Sequence, residues 1–192
     1  MRLGERLVSA AAYLAVVLIV AILVHLIVIL VIPIVATRDA YARLAALGPV
    51  GATIALARPS PSETRFPLGD PALASAFCRY DLASGPIRVK APVGRAGFAS
   101  ISFHTKRGAV LYALTDRAAS HGLMEAVVAT PAQMREFVAH DDEDNPSQDL
   151  RIVSPTNEGF VLMHAFSELP SLYDTAQEQT LGLTCRPEPM PK

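Results

Sequence analysis

The chain has 192 residues, with 17 Lys or Arg against 18 Asp or Glu and a formal net charge of −1. Without Arg2, Glu5 and Arg6 the remainder carries 15 basic and 17 acidic residues. Phosphate binding needs clustered Lys and Arg, so a nucleic-acid footprint and a polybasic lipid patch are both excluded.

From Leu7 through Thr37 there is no Asp, Glu, Lys or Arg. Roughly 20 apolar residues cross a hydrocarbon core about 30 Å thick, so this run spans a bilayer with residues to spare. The apolar region of a cleaved signal peptide is only about 7–15 residues long and ends at a small-x-small site. Ile34-Val35-Ala36 supplies no such site. The reading is therefore a retained signal anchor over residues 7–36, preceded by a cytoplasmic stub, residues 1–6. Arg2 and Arg6 precede the run while Arg38 and Arg43 follow it, so charge alone nearly ties. The short stub and long C-terminal part favour an N-inside orientation, which puts the domain in the periplasm, anchored in a bacterial inner membrane.

His25 stands inside the apolar run. A polar side chain at that depth marks a functional position by default. The Ala21-x-x-x-His25 spacing leaves room for a tetrapyrrole ligand, but a hydrogen bond to a neighbouring helix explains the residue more simply. No cofactor is expected.

Residues 37–71 read as a juxtamembrane segment and linker. Thr37 or Asp39 can cap a short helix carrying Tyr41, Leu44 and Leu47, expected to lie along the membrane surface or to continue the anchor. Prolines 59, 61, 67 and 71, with Ser60, Ser62 and Gly69 among them, give the linker composition. A β-rich domain is expected over 72–186, with a tail over 187–192. Ile87-Arg88-Val89-Lys90-Ala91 alternates as a strand does. Residues 98–103 and 109–114 make two more, joined through Lys106-Arg107-Gly108 as a hairpin with glycine at positive φ. Strands are also predicted at 123–129, 150–153 and 160–166, the last two as a hairpin turning on Thr156-Asn157-Glu158-Gly159.

Two helices interrupt the strands. Thr130-Pro131 opens one through Met134, Phe137 and Val138, and Leu169, Leu172, Tyr173, Ala176, Thr180 and Leu181 share a face of another stopped by Gly182. The fold class is mainly β (α+β): one transmembrane helix, then a small antiparallel β-sandwich-like domain with two peripheral helices.

No Gly-x-Ser-x-Gly, Ser-x-x-Lys or catalytic cysteine signature is present, and no Cys/His set has metal-ligand spacing. Catalytic and metal-binding residues are accordingly expected to be none. His104, His121, His140 and His164 are scattered; His164 shares a strand face with Phe160, Leu162 and Phe166, where a satisfied half-buried ring is the simpler reading than a base. Asp81, Asp116, Arg117 and Glu158 could form a carboxylate–guanidinium cluster, more often structural than functional. Asp141-Asp142-Glu143-Asp144-Asn145 lacks the glycine and twelfth-position glutamate of a calcium loop and reads as solvated. Cys78 and Cys185 can make one bridge in an oxidising compartment or remain two buried thiols.

Several blocks resemble a bacterial membrane-anchored family: Ala36-Thr37-Arg38-Asp39-Ala40, Phe77-Cys78-Arg79-Tyr80-Asp81-Leu82, Gly85-Pro86-Ile87-Arg88-Val89, Tyr112-Ala113-Leu114-Thr115-Asp116-Arg117 and Glu158-Gly159-Phe160-Val161-Leu162. The family is that of the domain of unknown function number twelve fifty-four, often found with a twelve-fourteen partner. The resemblance implies a mainly β domain on the outer side of a bacterial inner membrane and no established reaction. It also implies that Cys78 to Asp81 and Asp116-Arg117 matter to folding or to a partner. The expected function is that of a non-enzymatic accessory subunit, docked through its helix on a membrane protein complex, with His25, Arg79, Asp81, Asp116 and Arg117 as partner-binding candidates. The alternative is a tethered periplasmic hydrolase or small-molecule-binding domain.

Overall fold

The structure, a computed structural model, describes residues 2–35, 39–60, 69–94, 97–141 and 149–190. It divides into two units, Met1–Thr37 and Arg38–Lys192.

The first unit is a single helix, α1 (Arg2–Val35). Within it Gly4–Ile32, 29 residues, is long and apolar enough to cross a membrane. At 1.5 Å per residue that stretch measures roughly 43 Å, more than a bilayer core needs. Its leucines, valines and isoleucines are exposed along that stretch.

The second unit is a two-sheet β-sandwich, as the short alternating segments predict, although it is built from more strands than the alternation reveals. Sheet A holds β1 (Thr53–Ala55), β2 (Leu73–Asp81), β8 (Glu158–Phe166), β4 (Ala99–Thr105) and β5 (Val110–Thr115), in that spatial order. Sheet B holds β7 (Arg151–Val153), β6 (Leu123–Ala129), β3 (Ile87–Pro92) and β9 (Thr184–Pro187). Every pairing is antiparallel except β6 with β7. Residues of alternate parity meet between the sheets: Cys78, Tyr80, Ile101, Phe103, Val161 and Met163 from A, with Val89, Met124, Ala126, Val128, Ile152 and Cys185 from B, in one buried cluster. Cys78 and Cys185 are joined across that core as a disulfide, their Cα atoms 6.4 Å apart.

The loop from β4 to β5 is the hairpin predicted, with Gly108 at φ +90° and its N–H on the Thr105 carbonyl. Residues 150–153 and 160–166 do not form one. β7 leaves sheet B beside β6, and after Ser154 the chain crosses to sheet A, where β8 runs between β2 and β4. A polar turn between two apolar runs marks a reversal without saying which sheet receives the second strand.

The helices are α2 (Ala40–Ala45), α3 (Pro131–Ala139) and α4 (Tyr173–Leu181). Asp39 caps α2, accepting the Ala42 N–H at 2.8 Å. Tyr41 and Leu44 are buried against Phe77 and Phe160 of sheet A, so this segment belongs to the domain rather than to a juxtamembrane linker. β1 likewise adds to β2, which moves the start of the domain from Ala72 back to α2. Prolines 61 and 67, Ser62 and the acidic residues 142–144 with Asn145 lie outside the described residues. Thr130 and Gln133 form the reciprocal capping box that opens α3, but α3 buries no side chain and leaves Val138 61% exposed. α4 buries Tyr173, Ala176 and Thr180, whereas Leu169, Leu172 and Leu181 remain exposed, a narrower inner face than the apolar spacing suggests.

Candidate functional site

The residues proposed from sequence do not converge. Asp81 and Glu158 are register partners at one end of sheet A. Thr115, which leads into Asp116 and Arg117, pairs with Ser100, the partner of His164 at the other end. The four residues that could have formed a carboxylate–guanidinium cluster are therefore divided: the register sets Asp81 beside Glu158 and places Asp116 and Arg117 after the strand end at the other side of the sheet. Asp81 caps a 3-10 turn through the Ala83 N–H at 2.9 Å, and Asp116 accepts its neighbour's N–H. Glu158 instead pairs with Lys106, raising the lysine's pKa through that hydrogen bond.

Arg79 is only 6% exposed, which withdraws it from any partner's reach. Its guanidinium lies 4.7 Å from the centre of the Tyr41 ring and donates to the Gly48 carbonyl at 2.6 Å, with Nε buried and unpartnered. It fastens α2 and the following turn to sheet A. On sheet B, Arg88 gathers Glu125 and Asp149 at 2.8 Å and Glu188 at 2.6 Å, and these contacts raise its pKa. This exposed-face network is structural. Asp141 pairs with Arg151 at 2.6 Å at the end of α3.

The outer face of sheet A carries a different constellation. Period-two alternation points Leu73 and Ser75 of β2 and Leu162 and His164 of β8 to the same side, and the register sets Ser75 opposite His164. With Leu47, the segment 55–57, Pro59, Gly69 and Asp70, these four residues line a cavity of about 460 Å³. Backbone bonding fixes its wall, since the Leu56 N–H donates to the Ser75 carbonyl at 2.8 Å. Asp70 is held by the Ala72 N–H on its carboxylate at 2.8 Å.

Within that wall Ser75 Oγ lies 2.7 Å from His164 Nδ1. His164 Nε2 has no hydrogen-bond partner among the described residues. Burial, assisted by the neighbouring charge of His104, lowers the His164 pKa below its ordinary 6.5, so the ring is neutral at neutral pH. His104 sits on the same face, stacked on Phe160 at 4.7 Å between centroids, with Nε2 2.8 Å from Ser102 Oγ and Nδ1 3.2 Å from the Gly108 carbonyl. Burial lowers its pKa too. His121 and His140 are exposed and remote in sequence from the cavity wall.

A serine and a histidine alone do not make an acyl-transfer centre. The serine occupies Nδ1, the nitrogen that an orienting carboxylate takes in a triad, and no described carboxylate bonds to the ring. The arrangement offers an apolar chamber with one polar corner, which is a binding geometry. Among the described residues no group of three or more His, Cys, Asp or Glu is placed to hold a metal ion.

No family model matches the chain, and no curated protein matches it. Among solved structures, the VPA0106 protein from Vibrio parahaemolyticus is similar over 79% of this chain, with a TM-score of 0.53 at 11% identity. A protein from Burkholderia cenocepacia is matched over the same share, with a TM-score of 0.43 at 14% identity. The chain covers 35% of the Vibrio protein and 43% of the Burkholderia protein, so it spans less than half of either. The Vibrio likeness shows the β domain's fold.

Proposed function

We propose that this chain is a non-enzymatic, membrane-anchored binding protein whose β domain accepts a small apolar molecule. The observation that carries the reading is the 460 Å³ cavity on sheet A, apolar except for Ser75, His164 and Asp70. Its size and its few converging polar groups are those of a small-molecule site. α1 serves as a retained anchor in a bacterial inner membrane, and the domain lies on the periplasmic side; the Cys78–Cys185 disulfide supports an oxidising compartment. This architecture is also what the twelve fifty-four family resemblance implies, and we assign the chain to that family as part of the same proposal.

The test is extraction of the full-length protein from its host membrane in mild detergent, followed by organic extraction and mass spectrometry. Wild type should release one lipophilic compound in near-stoichiometric amount, and Ala57→Phe, which fills the chamber from its rim, should not. Equal yields from both proteins would discard the cavity as the site.

A second reading, docking on a membrane complex, is favoured by His25, a polar residue within the exposed apolar stretch of α1. In hydrocarbon such a ring gains about 1 kcal/mol from a partner helix's hydrogen bond. Stoichiometric membrane subunits that co-purify with wild type and are lost in His25→Leu would carry that reading; co-purification indifferent to His25→Leu would remove His25 from it.

A further inference from the structure

We infer that the molecule taken by the sheet A cavity carries no negative charge and bears a hydroxyl group, which His164 and the lining around Ser75 recognise while the apolar body fills the chamber. This inference rests on the cavity being a binding site and names the class of ligand. Charge argues first. Among the described lining residues there is one carboxylate, Asp70, and no lysine or arginine. Arg58, whose neighbours Ala57 and Pro59 both line the cavity, directs its guanidinium to the Tyr173 ring at 4.2 Å. His164 supplies no positive charge either, because burial and His104 keep it neutral. Among the described lining residues an anionic head would thus meet a carboxylate and no cation, a costly exchange for the water it sheds.

Hydrogen-bond chemistry argues second. A neutral imidazole carries one proton shared between two nitrogens. If Ser75 donates to Nδ1, Nε2–H is left as a donor; if Nδ1–H donates to Ser75 Oγ, Nε2 is an acceptor and the serine hydroxyl is left to donate elsewhere. A ligand hydroxyl satisfies either tautomer, since it both donates and accepts. At Nε2 a carboxylate satisfies only the first and an ammonium only the second. Asp70 adds a further acceptor, its carboxylate using one oxygen for the Ala72 N–H.

The experiment uses full-length protein in detergent micelles, labelled with [15N]histidine, and follows the ring nitrogens of His164 at pH 8. The resonance is assigned through His164→Gln and checked with Ser75→Ala, which removes only the oxygen beside Nδ1. Octanol, octanoate and octylamine are titrated separately, because they share a chain and differ in head group. The expected result is a saturable shift with octanol, at a concentration at least tenfold below that needed with octanoate or octylamine. Octanoate or octylamine saturating at the same or lower concentration would overturn the hydroxyl assignment and leave the site standing. No shift with any of the three would overturn the binding reading itself.

Discussion

His164 and His104 are both held below 6.5 by burial, and a base whose folded pKa is depressed works in one direction. Above 6.5 both folded and unfolded rings are neutral and the domain has its full stability. As pH falls below 6.5 the unfolded rings take up protons before the folded ones, so stability drops until the depressed folded values are passed. Urea midpoints should therefore fall between pH 7.5 and 5.5, with a shallower fall in His104→Gln and His164→Gln. An unchanged slope in both variants would mean that other groups set the dependence. Arg79 gives a contrast with Arg117. Arg79→Ala removes the donor to the Gly48 carbonyl and the cation over Tyr41, and should cost about 2–4 kcal/mol in urea unfolding, whereas exposed Arg117→Ala should stay within about 0.5 kcal/mol. Sequence picked out Arg79 but assigned it to a partner, because nothing in the letters tells a buried guanidinium from an exposed one. It placed His164 correctly on a face with Phe160 and Leu162, yet missed the site. Ser75 lies 89 residues away, and only the β2–β8 register brings its hydroxyl to the ring.

β3 and β4 were legible because one face of each is more open to water, and β2 was hidden because both of its faces are covered. β3 and β4 alternate buried with more exposed positions, and their sequences alternate accordingly. β2, a nine-residue strand, is buried without interruption from Ala76 to Tyr80, because sheet B covers one face while α2 covers part of the other. Its small, aromatic and charged residues show no period of two. β1 and β9 have three and four residues, too short for any periodicity. End signals were the most dependable, since a cap is a local hydrogen bond: Thr130 accepts the Gln133 N–H, and Gln133 Oε1 accepts the Thr130 N–H at 2.9 Å. Thr130→Ala should cost about 1 kcal/mol. Gln133→Ala should cost at least as much, because the same amide donates to the Leu82 carbonyl at 2.9 Å and ties α3 to the turn after β2. Thermal unfolding of the two variants side by side checks the order; a smaller loss for Gln133→Ala would show that this tertiary bond adds nothing.

At the scale of the whole molecule, the buried clusters among the described residues draw their members from position 40 onward. A chain beginning at Asp39 should therefore fold and remain soluble without detergent, and it isolates the domain for a test of its one covalent cross-link. That bond joins β2 of sheet A to β9 of sheet B across 107 residues of chain, linking an inner strand of one sheet to the edge of the other. In the unfolded chain it closes a loop whose lost entropy is worth up to about 4.7 kcal/mol by the chain-entropy model. In the folded domain the sheets already meet through Tyr80, Phe103, Val89 and Met124, so the native state needs the bond less than the unfolded state is limited by it. Replacing both residues, Cys78→Ala with Cys185→Ala, should leave far-UV circular dichroism intact and lower the thermal midpoint by up to about 19 °C, at roughly 2–4 °C per kcal/mol for a domain of this size. Reductant should produce a similar shift in the wild-type fragment and none in the double variant. A double variant that unfolds outright would mean that β9 has too little packing of its own to stay on β3; a midpoint equal to wild type would mean that the unfolded chain is already compact enough for the loop to cost nothing.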